Sequence, residues 1–359
     1  MSAIQVDPAE LLRSPDFFLH SIDVEGDAAW FVRMSPEHYR ASSFLDERVK
    51  KTEAQPLRLS LAGLVQVCSE AAEPTSTAHY LFHVGHCGST LLAQVLDDLP
   101  DLFVLREPMA LRILTELLDE TTVPDGRVDQ RRWNALFETV RHMLSRSYDR
   151  QDTALIKATS ICGNLIEPCL AADPGSRALL MGVTLETYLA GMLRPERRPE
   201  LGANSRLRIR QLQARARRRD LRLYEMSDAQ KAAMNWMTAM AFFRDALEDP
   251  QRRNQVRLVC FDTFLADRQQ ALRDIAVFLG CSLDEARLAA LSASKHFATY
   301  AKNPERAFDA SMRAEQLLET RRTVGDEIAV GLAWARELCD KSKGLAGLTG
   351  WLQGTELRG

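Results

Sequence analysis

From residue 78 onward the chain alternates short apolar runs with segments patterned for helices, and this alternation restricts the fold more than any other feature. The runs at 79–84, 102–105, 154–156, 178–183 and 256–261 are brief and almost continuously apolar, as strands covered on both faces must be. Helical patterns lie between and after them, at 91–96, 109–118, 133–144, 161–171, 185–193, 229–247 and 272–279. The last stops at Gly280, a residue suited to a left-handed C-terminal cap. Five strands joined by helices predict an α/β fold, one doubly wound parallel sheet flanked by helices, with ligands at the carboxyl ends of its strands.

Further segments extend this unit at both ends. Residues 1–75 read as an N-terminal appendage, with a short strand at 30–34 and an amphipathic stretch at 57–71, and no chemistry is assigned to them. The α/β domain spans 76–300, and 301–359 is expected as a C-terminal helical segment packing on the same domain. An arginine-rich insert at about 194–222 holds eleven arginines against three acids. Charge runs usually face water, so any single arginine there is expected to be solvated. The apolar helix pattern at 232–246, with Met234, Trp236, Met237, Met240 and Phe243, suits a core or the interface of a homodimer; the core is the reading the pattern favours.

A net charge of −3 argues against a nucleic-acid binder. Acidic residues near the start and no apolar stretch of spanning length point away from a leader or a membrane span, and so to the cytoplasm. The seven cysteines are scattered without a Cys-x-x-Cys pair, as reduced thiols rather than a disulfide framework or zinc site would be.

The first strand runs into Gly85-His86-Cys87-Gly88-Ser89-Thr90-Leu91-Leu92, where a helix begins. Strand, glycine turn and helix start make an anion site, because turn amides and the N–H groups of the first helical turn converge on one point. Ser89 and Thr90 add two hydroxyls. An ATPase-type loop would need Gly-x-x-x-x-Gly-Lys-Ser/Thr, but Ser89 follows Gly88 and His83 stands five places before it.

The loop instead resembles the 5′-phosphosulfate loop, Pro-Arg-Ser-Gly-Thr-Thr-Leu-Leu, of the sulfotransferases that use 3′-phosphoadenosine 5′-phosphosulfate (PAPS). Gly88, Thr90, Leu91 and Leu92 match directly, Ser89 keeps a hydroxyl, and His86 and Cys87 stand where that family has a basic residue and serine. Pro100 followed by Glu107 is similar to the segment carrying the catalytic glutamate of protein-tyrosine sulfotransferases. Lys157, at a strand end, looks like the lysine that touches the transferring sulfuryl group, and Thr159 stands where the cytosolic branch has a histidine base. Residues 256–267 and 272–280 resemble the family's late strand, acidic residue, turn and Phe-Leu-Gly helix end.

The resemblance implies a P-loop-like fold and transfer of a sulfuryl group from PAPS to a hydroxyl or amine of an unidentified acceptor, with no metal required. It implies catalytic roles for Glu107 as base, Lys157 and His86, and donor binding by Gly85, His86, Cys87, Gly88, Ser89, Thr90 and Leu91. The Arg-Asp-Pro and serine with which the family holds the 3′-phosphate are missing from 184–193. Arg194, Arg197 and Arg198 offer replacement charge, and Lys302 lies where a donor-closing basic segment is expected. A kinase-like phosphotransferase and a non-catalytic nucleotide or peptide-binding module are the other readings of the same loop. Structural roles also compete: Glu107 paired with Arg106 or Arg112, and Lys157 neutralising Asp262.

Overall fold

A computed structural model describes residues 7–49, 56–71, 76–149, 152–300, 303–307 and 310–357. The strands are β1 (Phe17–Asp23), β2 (Ala28–Arg33), β3 (Leu57–Leu59), β4 (Ala78–His83), β5 (Leu102–Arg106), β6 (Thr153–Lys157), β7 (Ala178–Gly182), β8 (Val256–Cys260), β9 (Thr299–Tyr300) and β10 (Asn303–Ala307). The helices are α1 (Pro8–Arg13), α2 (Pro36–Ala41), α3 (Leu61–Glu70), α4 (Ser89–Leu96), α5 (Met109–Glu120), α6 (Gln130–Leu144), α7 (Ile166–Ala172) and α8 (Leu185–Met192), followed by α9 (Arg198–Ala216), α10 (Asp228–Glu248), α11 (Phe261–Ala266), α12 (Arg268–Leu279), α13 (Glu285–Ser292), α14 (Ala310–Lys341) and α15 (Thr349–Gln353).

The five expected strands form one parallel sheet in the order β5-β6-β4-β7-β8. Every residue of β4 and β7 is buried, which is why β7 reads as an unbroken apolar run, while β4 buries His79 and His83 among its apolar residues. In register, Arg106 of β5 lies opposite Lys157 of β6, and Lys157 opposite Leu81 of β4. The carboxyl ends of β5 and β6 are therefore level, and β4 continues past Leu81 to His83. Gly280 caps α12 at φ 78°, as its position after the helix pattern predicts.

Compactness divides the chain into two units, Met1–Leu81 with Ala93–Arg177, and Phe82–Leu92 with Ala178–Gly359. In the first, β1, β2 and β3 make an antiparallel sheet, β1 packs on α5 and α6, and Phe17, Phe18, Leu19 and Phe31 enter the core. Two buried arginines fasten the N-terminal residues. Arg146 donates to the carbonyls of Leu11, Ser14 and Phe17 at 2.5, 2.6 and 2.8 Å. Burial pushes its guanidinium down to about 10, the expected direction for a cation removed from water. Arg106 donates to the carbonyls of Tyr39 and Arg40 at 2.6 and 2.9 Å, satisfying the end of α2.

In the second unit α10 packs against α8, α9 and α14. A reciprocal cap starts α10: the Gln230 amide donates to Ser227 Oγ at 3.3 Å and the Ser227 amide to Gln230 Oε1 at 2.9 Å. Met234, Trp236, Met237, Met240 and Phe243 are buried, and the Trp236 indole donates to the Val183 carbonyl at 2.8 Å. The apolar helix is thus core in this chain. The arginine-rich insert forms α9, and one of its arginines departs from the solvated expectation. Leu201, Ser205, Arg208 and Leu212 recur at helical spacing and are buried, so position on the stripe, rather than charge, decides where Arg208 goes. Among the described residues no helix is long and apolar enough to cross a membrane.

Candidate active site

The loop after β4 is built on left-handed backbone. Gly85, His86 and Gly88 have φ of 87°, 49° and 82°, conformations that are costly for residues with a Cβ. Gly88 has a second reason to be glycine: a Cβ there would stand 2.1 Å from the Phe261 ring. The turn is pinned by the Val84 amide on the Met181 carbonyl at 3.1 Å, and by the Gly85 amide on His83 Nδ1 at 3.0 Å. Cys87 is turned inward, its thiol donating to the Met181 carbonyl at 3.5 Å. The Leu92 amide makes the first helical bond, to the Gly88 carbonyl at 3.1 Å. The N–H groups of Ser89, Thr90 and Leu91 precede that bond and have no acceptor within the helix.

His86, in the loop's basic position, places Nε2 2.8 Å from Glu200 Oε2 on α9. The arginines that follow α8 are also engaged. Arg194 pairs with Glu196 at 2.6 Å and reaches Gln316 at 3.3 Å. Arg197 donates to the Gly191 carbonyl at 3.1 Å, and Arg198 pairs with Asp228 and Glu327 at 3.1 and 2.7 Å. Lys302 lies outside the described residues.

Glu107 and Lys157 come together at the ends of β5 and β6. The Lys157 ammonium touches the Glu107 carboxylate directly, with the lysine side chain fully buried and the glutamate 11% exposed. An ammonium removed from water requires such a partner. The competing partners are committed elsewhere: Arg106 to carbonyls and to Asp97 at 3.7 Å, Arg112 to Glu116 at 3.3 Å, and Asp262 to Arg313 at 2.7 Å. Burial holds the Arg106 guanidinium below its usual value and raises the Asp97 carboxyl.

Glu107 itself sits at φ 57°, a left-handed conformation that is rare outside glycine and is tolerated only where neighbours over-determine it. Here they do. Its amide donates to the Lys157 carbonyl at 2.7 Å, and on either side the Leu45 amide donates to the Arg106 carbonyl at 2.7 Å and the Met109 amide to the Leu45 carbonyl at 3.2 Å.

The residues around this pair that sequence reasoning missed come from the N-terminal segment. The Phe44 ring centre lies 5.8 Å from Lys157 Nζ and 3.7 Å from the Arg48 guanidinium, and Arg48 is forked to Asp46. No periodicity marks them, because they lie in a turn and reach Glu107 only through the fold.

No family model matches the chain, and no curated protein matches it. Solved structures similar to it include the sulfotransferase domain from the curacin biosynthetic pathway, at 12% identity and TM-score 0.43 over 70% of this chain and 99% of that one. A sulfotransferase from Alicyclobacillus acidocaldarius is similar at 16% identity and TM-score 0.36, over 74% of this chain and 96% of that one. A mouse sulfotransferase complexed with PAP is similar at 12% identity and TM-score 0.37, over 81% of this chain and 94% of that one.

Proposed function

We propose that the chain is a sulfotransferase that carries a sulfuryl group from PAPS to a hydroxyl or amine acceptor. The observation that carries this reading is the direct pairing of Glu107 with buried Lys157 at adjoining strand ends. Its support is the loop of residues 85–92, which has the left-handed turn and helix start of a phosphate cradle but no lysine after Gly88.

The fit to the donor is good on the 5′ side, where loop amides, Ser89 and Thr90 suit a phosphate. It is incomplete on the 3′ side. Residues 184–193 offer no arginine or serine, and Arg194, Arg197 and Arg198 would have to leave Glu196, the Gly191 carbonyl, and Asp228 with Glu327.

In this reading Glu107 accepts the proton of the acceptor as its oxygen or nitrogen bonds to sulfur. The bond from sulfur to the 5′-phosphate oxygen breaks, and 3′-phosphoadenosine 5′-phosphate (PAP) leaves. Protonation of Glu107 releases the Lys157 ammonium from its carboxylate, freeing its charge for the sulfuryl oxygens as the transfer proceeds. Positioned cations and amides supply most of the catalysis in such an in-line displacement.

Thermal melting with PAP, ATP or GTP, each with and without Mg²⁺, tests the donor. Stabilisation by PAP without metal is expected, by about 2.7 kcal/mol at a hundredfold excess over its Kd. A response confined to ATP or GTP with Mg²⁺ would replace this reading with a kinase-like one, and no response to any would leave a non-catalytic module.

A further inference from the structure

Beside Glu107 and Lys157 the first unit holds a charge assembly that the transfer chemistry leaves unused. Phe44, Leu45 and Asp46 are buried, and the chain then turns so that Arg48 emerges, its side chain 58% exposed against 12% for Asp46. Yet Arg48 is not a loose surface cation. Its Nε donates to both Asp46 oxygens at 2.9 and 3.0 Å, its Nη2 contacts the same carboxylate, and its amide donates to Asp46 Oδ1 at 3.0 Å. The guanidinium also lies 3.7 Å from the centre of the Phe44 ring.

The platform beneath is equally fixed. Asp46 presents its carbonyl to His20 Nε2 at 3.2 Å, and Leu45 is bonded on both sides of Glu107. Phe44 has the Lys157 ammonium 5.8 Å from its ring centre, so two cations address one ring.

Such ordering has to be set against its cost. Holding an arginine in one rotamer sacrifices up to about 2 kcal/mol of side-chain entropy, which offsets much of what a pair with one partner in solvent returns. Stability alone is a poor reason for the arrangement. Pre-organisation for a ligand is a better one, because a guanidinium held along its Nε–Nη2 edge and against an aromatic face presents its remaining N–H groups in a fixed direction. Among the described residues Nη1 has no acceptor. Glu47, Glu107, Arg112 and Glu116 are the other charges nearby: Glu47 is exposed and acts on the guanidinium from the adjoining position, Arg112 is paired with Glu116, and Glu107 with Lys157. That leaves Arg48 as the cation with a donor edge to offer.

Resting on the sulfotransferase reading above, we propose that Arg48 is the anion subsite of the acceptor site. The acceptor class is then a hydroxyl compound that carries a carboxylate close to the group to be modified. Asp46 and Phe44 act as positioning residues for the guanidinium.

The test compares binding of 4-hydroxybenzoate and phenol to the full chain, with and without PAP, by titration calorimetry or ligand-observed NMR. The wild type is expected to prefer the acid by about tenfold or more, the range of one charge-assisted hydrogen bond. Arg48→Met should bring the two affinities together, and Arg48→Lys should keep part of the preference; because Arg48→Met also leaves the buried Asp46 without its guanidinium, both variants are compared at a temperature where melting curves show them folded. Equal affinities in the wild type, no binding of the acid, or an undiminished preference in Arg48→Met would overturn the proposal. Failure of PAP to bind would sink the donor reading instead, since the acid preference is also measured without PAP.

Discussion

The Glu107 amide donates to the Lys157 carbonyl at 2.7 Å, and the Lys157 ammonium returns to the Glu107 carboxylate. One bond fixes the backbone turn and the other fixes the charge. The pair is therefore held from both ends, which is how a left-handed glutamate survives at the close of a strand.

Removing either charge alone strands the other in the interior. Lys157→Met and Glu107→Gln, made singly, are each expected to lower stability, by about 3–5 kcal/mol for the lysine, while the double variant recovers much of the loss. Urea denaturation of the four proteins gives the coupling. Additive losses would mean that the contact carries no mutual stabilisation.

On activity, Glu107→Gln should reduce sulfuryl transfer by about 10²- to 10⁴-fold, the usual worth of a general base, while leaving PAP affinity within about twofold. Single-turnover transfer from PAPS to a phenol measures the first, and calorimetry the second. Near-normal transfer would remove Glu107 from the mechanism.

Position 88 admits no side chain. Gly88→Ala combines a left-handed penalty of about 1–2 kcal/mol with overpacking against Phe261 of about 1–3 kcal/mol. The variant should melt earlier and lose its response to PAP. Pairing it with Phe261→Leu relieves only the steric part, so recovery should be incomplete.

Asp46 gives a pH signature. Burial alone would raise its carboxyl, but the Arg48 side chain and amide outweigh this and hold it below the ordinary value of 3.8. A depressed carboxyl stabilises the fold above the unfolded value and loses that contribution as pH falls through the folded one. The stability difference between wild type and Asp46→Asn should accordingly be level from about pH 7 to 5 and shrink below about pH 4. A difference that grows on acidification would reverse the assignment.

The sheet was legible in the sequence because strands covered on both faces have little choice of residue: β7 is wholly apolar, and β4 and β6 each hold a central apolar run. The loop was legible because glycine at Gly85 and Gly88 answers a backbone demand that few residues meet. Glu107 and Lys157 could each be picked out by resemblance, but their partnership could not. It depends on the β5/β6 register and on Arg106 being drawn away by the carbonyls ending α2, neither of which is a local property. Arg208 was hidden for a different reason: a dense run of arginines masks the buried stripe to which it belongs.

The division of the chain has a consequence for its biosynthesis. Every residue of the first unit has been synthesised by Arg177, whereas residues 82–92 belong with a body that begins at Ala178. As the chain emerges, the glycine loop must wait, because Met181, which receives the Val84 amide and the Cys87 thiol, and Phe261, which closes over Gly88, come later. A nascent chain halted before Phe261 can complete its first half but lacks the ring that packs on Gly88, so the loop of residues 85–92 reaches its final form only with the second half of the chain.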